Sequence, residues 1–278
     1  ALQQVLQSAK SQRVPTMTQL VDLIAINELL GTVESSGDGK NANLVAQLET
    51  ESLAAKAAEF KTTNNDDTIG WIRIPNTNVD YPVVYKAGVE NYAYYESKGY
   101  DKQYSKDGVI WADYECTFPE LSQNTTLYGH NWHNIYTPRT QANMQANDLM
   151  FSLVMSYNYT DFAQENPFVY FSTTEQDYVF QVFASYYTDL NFGYNYAQMS
   201  QEDFQKVIAE AKAKSLSNYN VPVTSEDKIV TLSTCTRVHG NTNNQRFVVM
   251  AKLVPVGTPS TTISTHSNPI AYNSSIDA

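Results

Sequence analysis

The sequence predicts a mainly β fold: a closed or nearly closed barrel of about eight strands with peripheral helices. Three observations lead there. From residue 69 onward, short apolar-rich runs alternate at a period of two, punctuated by Asn, Asp, Gly and Pro. Helical periodicity is confined to a few segments, ahead of the strands or inserted between them. The chain has 278 residues, 42% of them hydrophobic, enough for one large core with an appendage.

In order, residues 16–31 predict an amphipathic helix. Thr16 or Thr18 caps it, Leu20, Leu23, Ile24 and Leu30 recur at helical spacing, and Gly31 ends it. A Ser-Ser-Gly-Asp-Gly loop within 34–42 leads to a second helix at 43–60, rich in Ala, Leu and Glu. The polar run 62–67 breaks the pattern. The domain expectation is therefore a helical extension over 1–65, a barrel over 66–256 and a flexible, poorly anchored Ser/Thr-rich tail over 257–278.

Within the barrel the first strand carries Trp71 and Arg73 on one face, Ile72 and Ile74 on the other. Val79 to Tyr85 is the second strand, and Pro82 marks it as an edge or a bulge. Glu90 to Ser97 reads as a short helix, followed by short strands at 107–113 and 125–128. Residues 146–156 read as helical, then 168–172 and 178–188 as strands. A helix is expected at 201–216, capped by Ser200, with Phe204, Val207, Ile208 and Ala211 as its buried stripe. Two more strands, Ile229–Cys235 and Arg246–Leu253, complete the set, and no internal repeat interrupts it.

The net charge of −11 and the absence of any basic run argue against nucleic acid as a partner. Only 17% of residues are charged, a balance suited to a secreted or surface-exposed protein. No run of about 18 apolar residues is present, so no spanning helix is expected in this stretch. The chain opens with neither Met nor a signal-peptide pattern, as a mature or shortened form would. Cys116 and Cys235 are too few for a disulfide framework, although they could form one bridge. They fit no zinc pattern, since His130 and His133 have no third ligand nearby.

Cys235 ends one apolar strand, Arg246 opens the next, and His130 follows a third. A thiol attacks only as the thiolate, so it needs a cation or base close by. Attack on an acyl carbon builds charge on oxygen, which a guanidinium can stabilise. If the two apolar runs pair as neighbouring antiparallel strands, Arg246 faces Cys235 across the ladder. Each residue also has a bland reading. A cysteine after an apolar strand is commonly a small buried hydrophobe, a histidine beside Trp132 a surface residue, and an arginine opening a strand a solvated edge charge.

The motifs decide between these readings. Thr231-Leu-Ser-Thr-Cys235, Tyr128-Gly-His-Asn131 and Arg246 before Phe-Val-Val resemble the three signature segments of sortases, in the same order. Ile69–Pro75, Val79–Val84, the helix at 201–216 and the two N-terminal helices are similar to class B members, so the resemblance covers about residues 15–255. It implies an eight-stranded sortase barrel and a cysteine transpeptidase. Cys235 would attack the Thr carbonyl of a sorting signal near a substrate's C-terminus. An amine, from a peptidoglycan cross-bridge or a pilin lysine, would resolve the thioester. His130 would act as acid and base, and Arg246 would stabilise the oxyanion, with no metal or cofactor. Ser233 and Thr234 would line the substrate groove, and Asn91 and Tyr95 would touch the peptide, although a Leu is usual at the position of Tyr95. The resemblance places the protein on the outer face of a Gram-positive cell membrane, with its anchor outside this chain.

Arg237 rivals Arg246, and His133 rivals His130; the strand after Arg246 and the Tyr-Gly-His context favour the first of each pair. Cys116 reads as structural or incidental. Two other functions compete. A papain-like cysteine hydrolase would place its nucleophile at the start of a helix. A non-enzymatic surface β-domain would suit the acidic, Tyr-rich composition and would not need Cys235.

Overall fold

The computed structural model describes residues 52–270. The helix expected at 16–31 and the first part of the one expected at 43–60 lie outside them.

The described chain begins with α1 (Leu53–Thr63), capped by the Ser52 hydroxyl, which accepts from the Ala55 amide at 3.2 Å. Eight strands then close into a barrel: β1 (Thr68–Arg73), β2 (Asp80–Val84), β3 (Ile110–Ala112), β4 (Asn124–Tyr128), β5 (Phe168–Thr173), β6 (Asp177–Asp189), β8 (Ile229–Cys235) and β9 (Gln245–Val254). Each of the eight expected strands is present. Around the barrel the order is β1-β2-β3-β4-β8-β9-β6-β5, with β5 pairing back on β1. The β2–β3 and β4–β8 pairs are parallel and the rest antiparallel. Closure leaves no long unpaired edge.

The interior is filled from every wall. Ile72, Val83, Ile110, Leu127, Phe171, Phe180, Leu232 and Val249 are all fully buried in one cluster. Each such side chain contributes about 1.5–3 kcal/mol relative to exposure, which is what holds the strands in register. α1 adds a smaller contact outside: Leu53, Ala57 and Phe60 pack on Trp71 and Tyr170. This helix therefore packs against the barrel sheet, on the far side of the polar 62–67 break.

The long β6–β8 crossover carries α3 (Gln201–Lys214), with α2 (Thr160–Glu165) earlier in the chain, before β5. Ser200 caps α3 by accepting the Asp203 amide at 3.1 Å, and Phe204, Ile208 and Ala211 are buried as the stripe predicts. Two segments differ from expectation. Residues 146–156 do not form an α-helix; Asp148 ties the Gln145 amide and the Arg139 guanidinium into a turn, and a 3-10 segment follows at Ser152–Asn158. Only a single 3-10 turn, Val89–Asn91, forms in the region expected to be helical at 90–97.

The tail also differs over 257–270. There β10 (Ser264–Thr265) pairs with β7 (Ser217–Asn218), Ile263 is buried and the Ile270 amide donates to Ala213 O at 2.9 Å. One buried isoleucine and a few backbone bonds are enough to anchor a segment whose composition is otherwise polar.

Candidate active site

Three adjacent strands, β4, β8 and β9, build the site. The antiparallel β8–β9 register pairs Cys235 directly with Arg246. In the parallel β4–β8 register Tyr128 pairs with Ser233. Two residues further along, His130 comes level with Cys235, and the Asn131 side chain donates to Cys235 O at 3.3 Å. His130, Cys235 and Arg246 thus form one row across neighbouring strands, where side chains of equal parity share a face. All three are half-buried, open enough for a substrate to reach them.

The Arg246 side is set by the ladder. Its guanidinium donates to Asn243 O at 2.8 Å and Gln245 O at 2.9 Å. Its rival Arg237 is committed elsewhere, with one nitrogen on Asn243 Oδ1 at 2.6 Å and another 3.5 Å from the Tyr136 hydroxyl.

The His130 side is set by loops. Gly129 has no room for a side chain, since a Cβ would stand 2.5 Å from Ile110 Cδ1 and 2.7 Å from Phe151 Cγ. His130 O accepts the Phe151 amide at 3.1 Å. The imidazole lies between two indoles, with Trp111 at 5.7 Å and Trp132 at 5.0 Å between centroids. Trp132 is itself pinned by its Nε1–H donating to Lys106 O at 3.0 Å. Nε2 of His130 meets Glu96 O at 2.5 Å. A carbonyl only accepts, so Nε2 carries a hydrogen and Nδ1 is the nitrogen left to exchange protons. Gly108, at φ +60, makes room for this arrangement: a Cβ there would lie 2.9 Å from His130 Cδ2 and 3.1 Å from Glu96 O.

The other expected site residues fall differently. Ser233 and Thr234 are each 2% exposed. Ser233 Oγ and the Tyr194 hydroxyl are 2.8 Å apart, and Thr234 Oγ1 donates to Gly129 O at 2.7 Å. Their hydroxyls brace the nucleophile strand from inside, so they do not line an open groove. Tyr95 is a correction too. It is 1% exposed, and its hydroxyl donates to Asp67 Oδ2 at 2.7 Å, which removes it from any peptide surface. Asn91 remains accessible, with its amide donating to Ala87 O at 2.7 Å.

Several contributors carry no sequence signal of their own: the Glu96 carbonyl, Gly108, Trp111 and Tyr194. Burial pushes the Tyr194 phenol up; the bond with Ser233 and the charge of Arg246 oppose this, and Cys235 adds to it. That phenol stays a neutral hydroxyl beneath the row. The second thiol, Cys116, is 2% exposed, and burial pushes it up to about 12. It is chemically quiet at neutral pH. Both cysteines are free.

A family sequence model described as the sortase domain matches residues 72–254. Sortase B of Staphylococcus aureus is 30% identical over 193 residues, covering 69% of this chain and 72% of that protein. Sortase B of Listeria monocytogenes is 29% identical over 191 residues, covering 68% and 71%. Among solved structures, a Staphylococcus aureus sortase B–substrate complex matches with a TM-score of 0.61 at 26% identity, over 77% of this chain and 92% of that one. Barrel, motifs and relatives agree, and the chain belongs to the sortase family as a class B-like cysteine transpeptidase.

Proposed function

We propose that Cys235 cleaves a sorting signal after its Thr and that the acyl group passes to an amine of a peptidoglycan cross-bridge or a pilin lysine. The observation that carries this reading is the single row of His130, Cys235 and Arg246 on β4, β8 and β9. Among the relatives, one solved structure is a sortase B–substrate complex and another is sortase B complexed with triglycine, a peptide that ends in a primary amine.

The Cys235 thiolate attacks the Thr carbonyl, and Arg246 faces the oxygen that becomes negative. His130 gives its Nδ1 proton to the leaving amine, and the C–N bond breaks to leave a thioester. The incoming amine then attacks the thioester carbon, His130 takes its proton, and the Cys235 thiolate leaves. Asn91, half-exposed in its turn, serves as a peptide contact. The expected location is the outer face of a Gram-positive cell membrane. No helix among the described residues is long and apolar enough to cross a membrane.

The test is incubation with fluorogenic sorting-peptide libraries, with and without an amine. Cleavage with amine-dependent products, a thioester mass on the protein, and loss of about a thousandfold or more in Cys235→Ala are expected. Full cleavage by Cys235→Ala would refute the reading. Alkylation of Cys235 against pH should change in His130→Ala; an unchanged profile would remove His130 from the pair. A papain-like enzyme is disfavoured because Cys235 ends a strand and does not open a helix.

A further inference from the structure

His130 and Cys235 both sit where their strands stop pairing. The last main-chain bond of the parallel β4–β8 ladder is the Gly129 amide donating to Ser233 O at 3.4 Å. Such a ladder repeats every second residue, so the next donor on the β4 side would be residue 131, to Cys235 O. At that step a side chain takes over: Asn131 Nδ2 donates to Cys235 O at 3.3 Å. The two main chains meet again where the Arg237 amide donates to Ile135 O at 2.8 Å. Between those two bonds the chain leaves the sheet and carries His130 with it. Among the described residues, two side chains span the gap. Thr234 Oγ1 reaches Gly129 O at 2.7 Å, ahead of the histidine, and Asn131 is the tie behind it. We propose that Asn131 is a positioning residue, whose buried amide fixes the separation of the His130 ring from the Cys235 thiol. This rests on the Cys235–His130 chemistry above and adds the group that keeps the pair in step.

Asn131 is itself held at both ends. Its side chain is buried, and its Oδ1 accepts the Asn134 amide at 2.9 Å, closing a turn in the loop. Asn134, also buried, donates from Nδ2 to Ser152 O at 2.7 Å. The adjacent Phe151 amide returns to His130 O at 3.1 Å. A continuous run of hydrogen-bonded groups therefore leads from Cys235 O through Asn131, Asn134 and the 151–152 backbone to the main chain of His130. A carboxamide suits the first link because it donates at one end and accepts at the other. A carboxylate there would set a second acceptor against Cys235 O.

The remaining holds on the imidazole do not do this work. Glu96 O, Trp111 and Trp132 orient the ring, but none belongs to β8. They leave its distance from the thiol to the ties across the gap, and Asn131 makes the one that ends on Cys235. A misplacement of about 1 Å in a reacting pair costs on the order of a hundredfold in rate.

Asn131→Ser separates this role from that of a turn residue. The serine hydroxyl can still accept the Asn134 amide, but it ends one bond short of the nitrogen that reaches Cys235 O. Thioester formation on a sorting peptide should slow by at least about tenfold, with KM within about twofold and the melting temperature close to the parent. Asn131→Ala, which loses the turn as well, should match it in rate and melt lower. Alkylation of Cys235 by iodoacetamide needs no peptide, and buried Cys116 does not compete. His130→Ala should change that rate in the parent, and by a clearly smaller factor in the Asn131→Ser background, where ring and thiol are already out of step. Thioester formation at the parent rate in Asn131→Ser, with a loss confined to Asn131→Ala, would make Asn131 a turn residue only and overturn the proposal. Equal factors for His130→Ala in both backgrounds would overturn it too. A parent whose alkylation ignores His130→Ala would sink the His130 role, and this proposal with it.

Discussion

Cys235 has two flanks, built in different ways. On the β9 flank the partner, Arg246, lies inside a regular ladder that continues to the far end of β8 at Ile229, opposite Lys252. On the β4 flank the partner, His130, lies beyond the end of its strand. There it is held by a carbonyl from 34 residues upstream, two indoles and a glycine that leaves space. The first flank is specified by backbone pairing. The second is assembled from scattered loop residues, and each can move the imidazole.

The largest effect that separates the flanks is expected at the arginines. Arg246→Gln should lower kcat/KM for peptide cleavage by about 10²–10³-fold, the range for losing one oxyanion donor. Arg237→Gln should cost no more than a few-fold, because its guanidinium is bound to Asn243 and Tyr136. Thermal unfolding of both should stay close to the parent. A larger loss at Arg237 would transfer the role and break the link between ladder position and chemistry.

Next comes Gly108→Ala, which tests the loop flank without replacing a reacting group. The added Cβ meets the His130 ring and the Glu96 carbonyl, and the positive φ adds strain of about 1–3 kcal/mol. Displacing a proton-transfer group costs about 10–100-fold in kcat. The expected result is a drop in kcat of at least tenfold with KM for the peptide little changed. A fall in melting temperature alone, with kcat intact, would show that the cradle does not set the position of His130.

The same contrast governs what was legible in the sequence. All eight strands were, as short apolar-rich runs bounded by turn residues, and pairing of β8 with β9 then placed Arg246 opposite Cys235. His130 was legible through its motif, but its surroundings were not. Glu96 contributes only a backbone carbonyl, which any residue carries. Trp132 carries a signal only as a neighbour of His130; Trp111 reaches the ring from β3, which pairs with β4, and Gly108 through folding of the loop before it. Tyr95 differs because the resemblance carries it over from a short helix that contacts the peptide, whereas here the segment winds as turns and drives the ring inward to Asp67. Ser233 and Thr234 flank the nucleophile in sequence, but both hydroxyls are taken up inside the protein. The tail over 257–270 was misjudged because composition does not reveal a single anchoring Ile263.

Tyr95→Phe sharpens the comparison at a smaller scale. It removes the hydroxyl between Asn65 and Asp67 while keeping the buried ring, and a lost hydrogen bond to a charged group costs about 1.5–3 kcal/mol. Denaturant unfolding should show that loss, with KM for the sorting peptide within about twofold. A KM rise of tenfold or more at unchanged stability would restore Tyr95 to the peptide surface.

The smallest expected effect concerns Asp113, which steadies the β4 flank. Its Oδ2 accepts the Tyr128 hydroxyl at 2.7 Å, and its Oδ1 accepts the Glu115 amide at 2.9 Å. Burial raises its carboxyl above 3.8; the Glu115 charge adds to this, while the hydrogen bonds from the Glu115 amide, Tyr128 and Asn195 oppose it. A raised native value means the folded protein holds the proton more tightly than the unfolded chain. The stabilisation from that proton is therefore fully present below 3.8 and is lost as pH climbs through the native value. Asp113→Asn does not titrate. Measured against the parent, its relative stability should rise across that window and level off above it. Asp67, Asp80 and Asp227 are shifted the opposite way in both proteins, so they cancel in the difference. A flat difference between the two stability curves would mean that the Asp113 carboxylate is fully compensated by its hydrogen bonds. The β4 flank would then depend on Asp113 for geometry alone, as the β9 flank depends on its ladder.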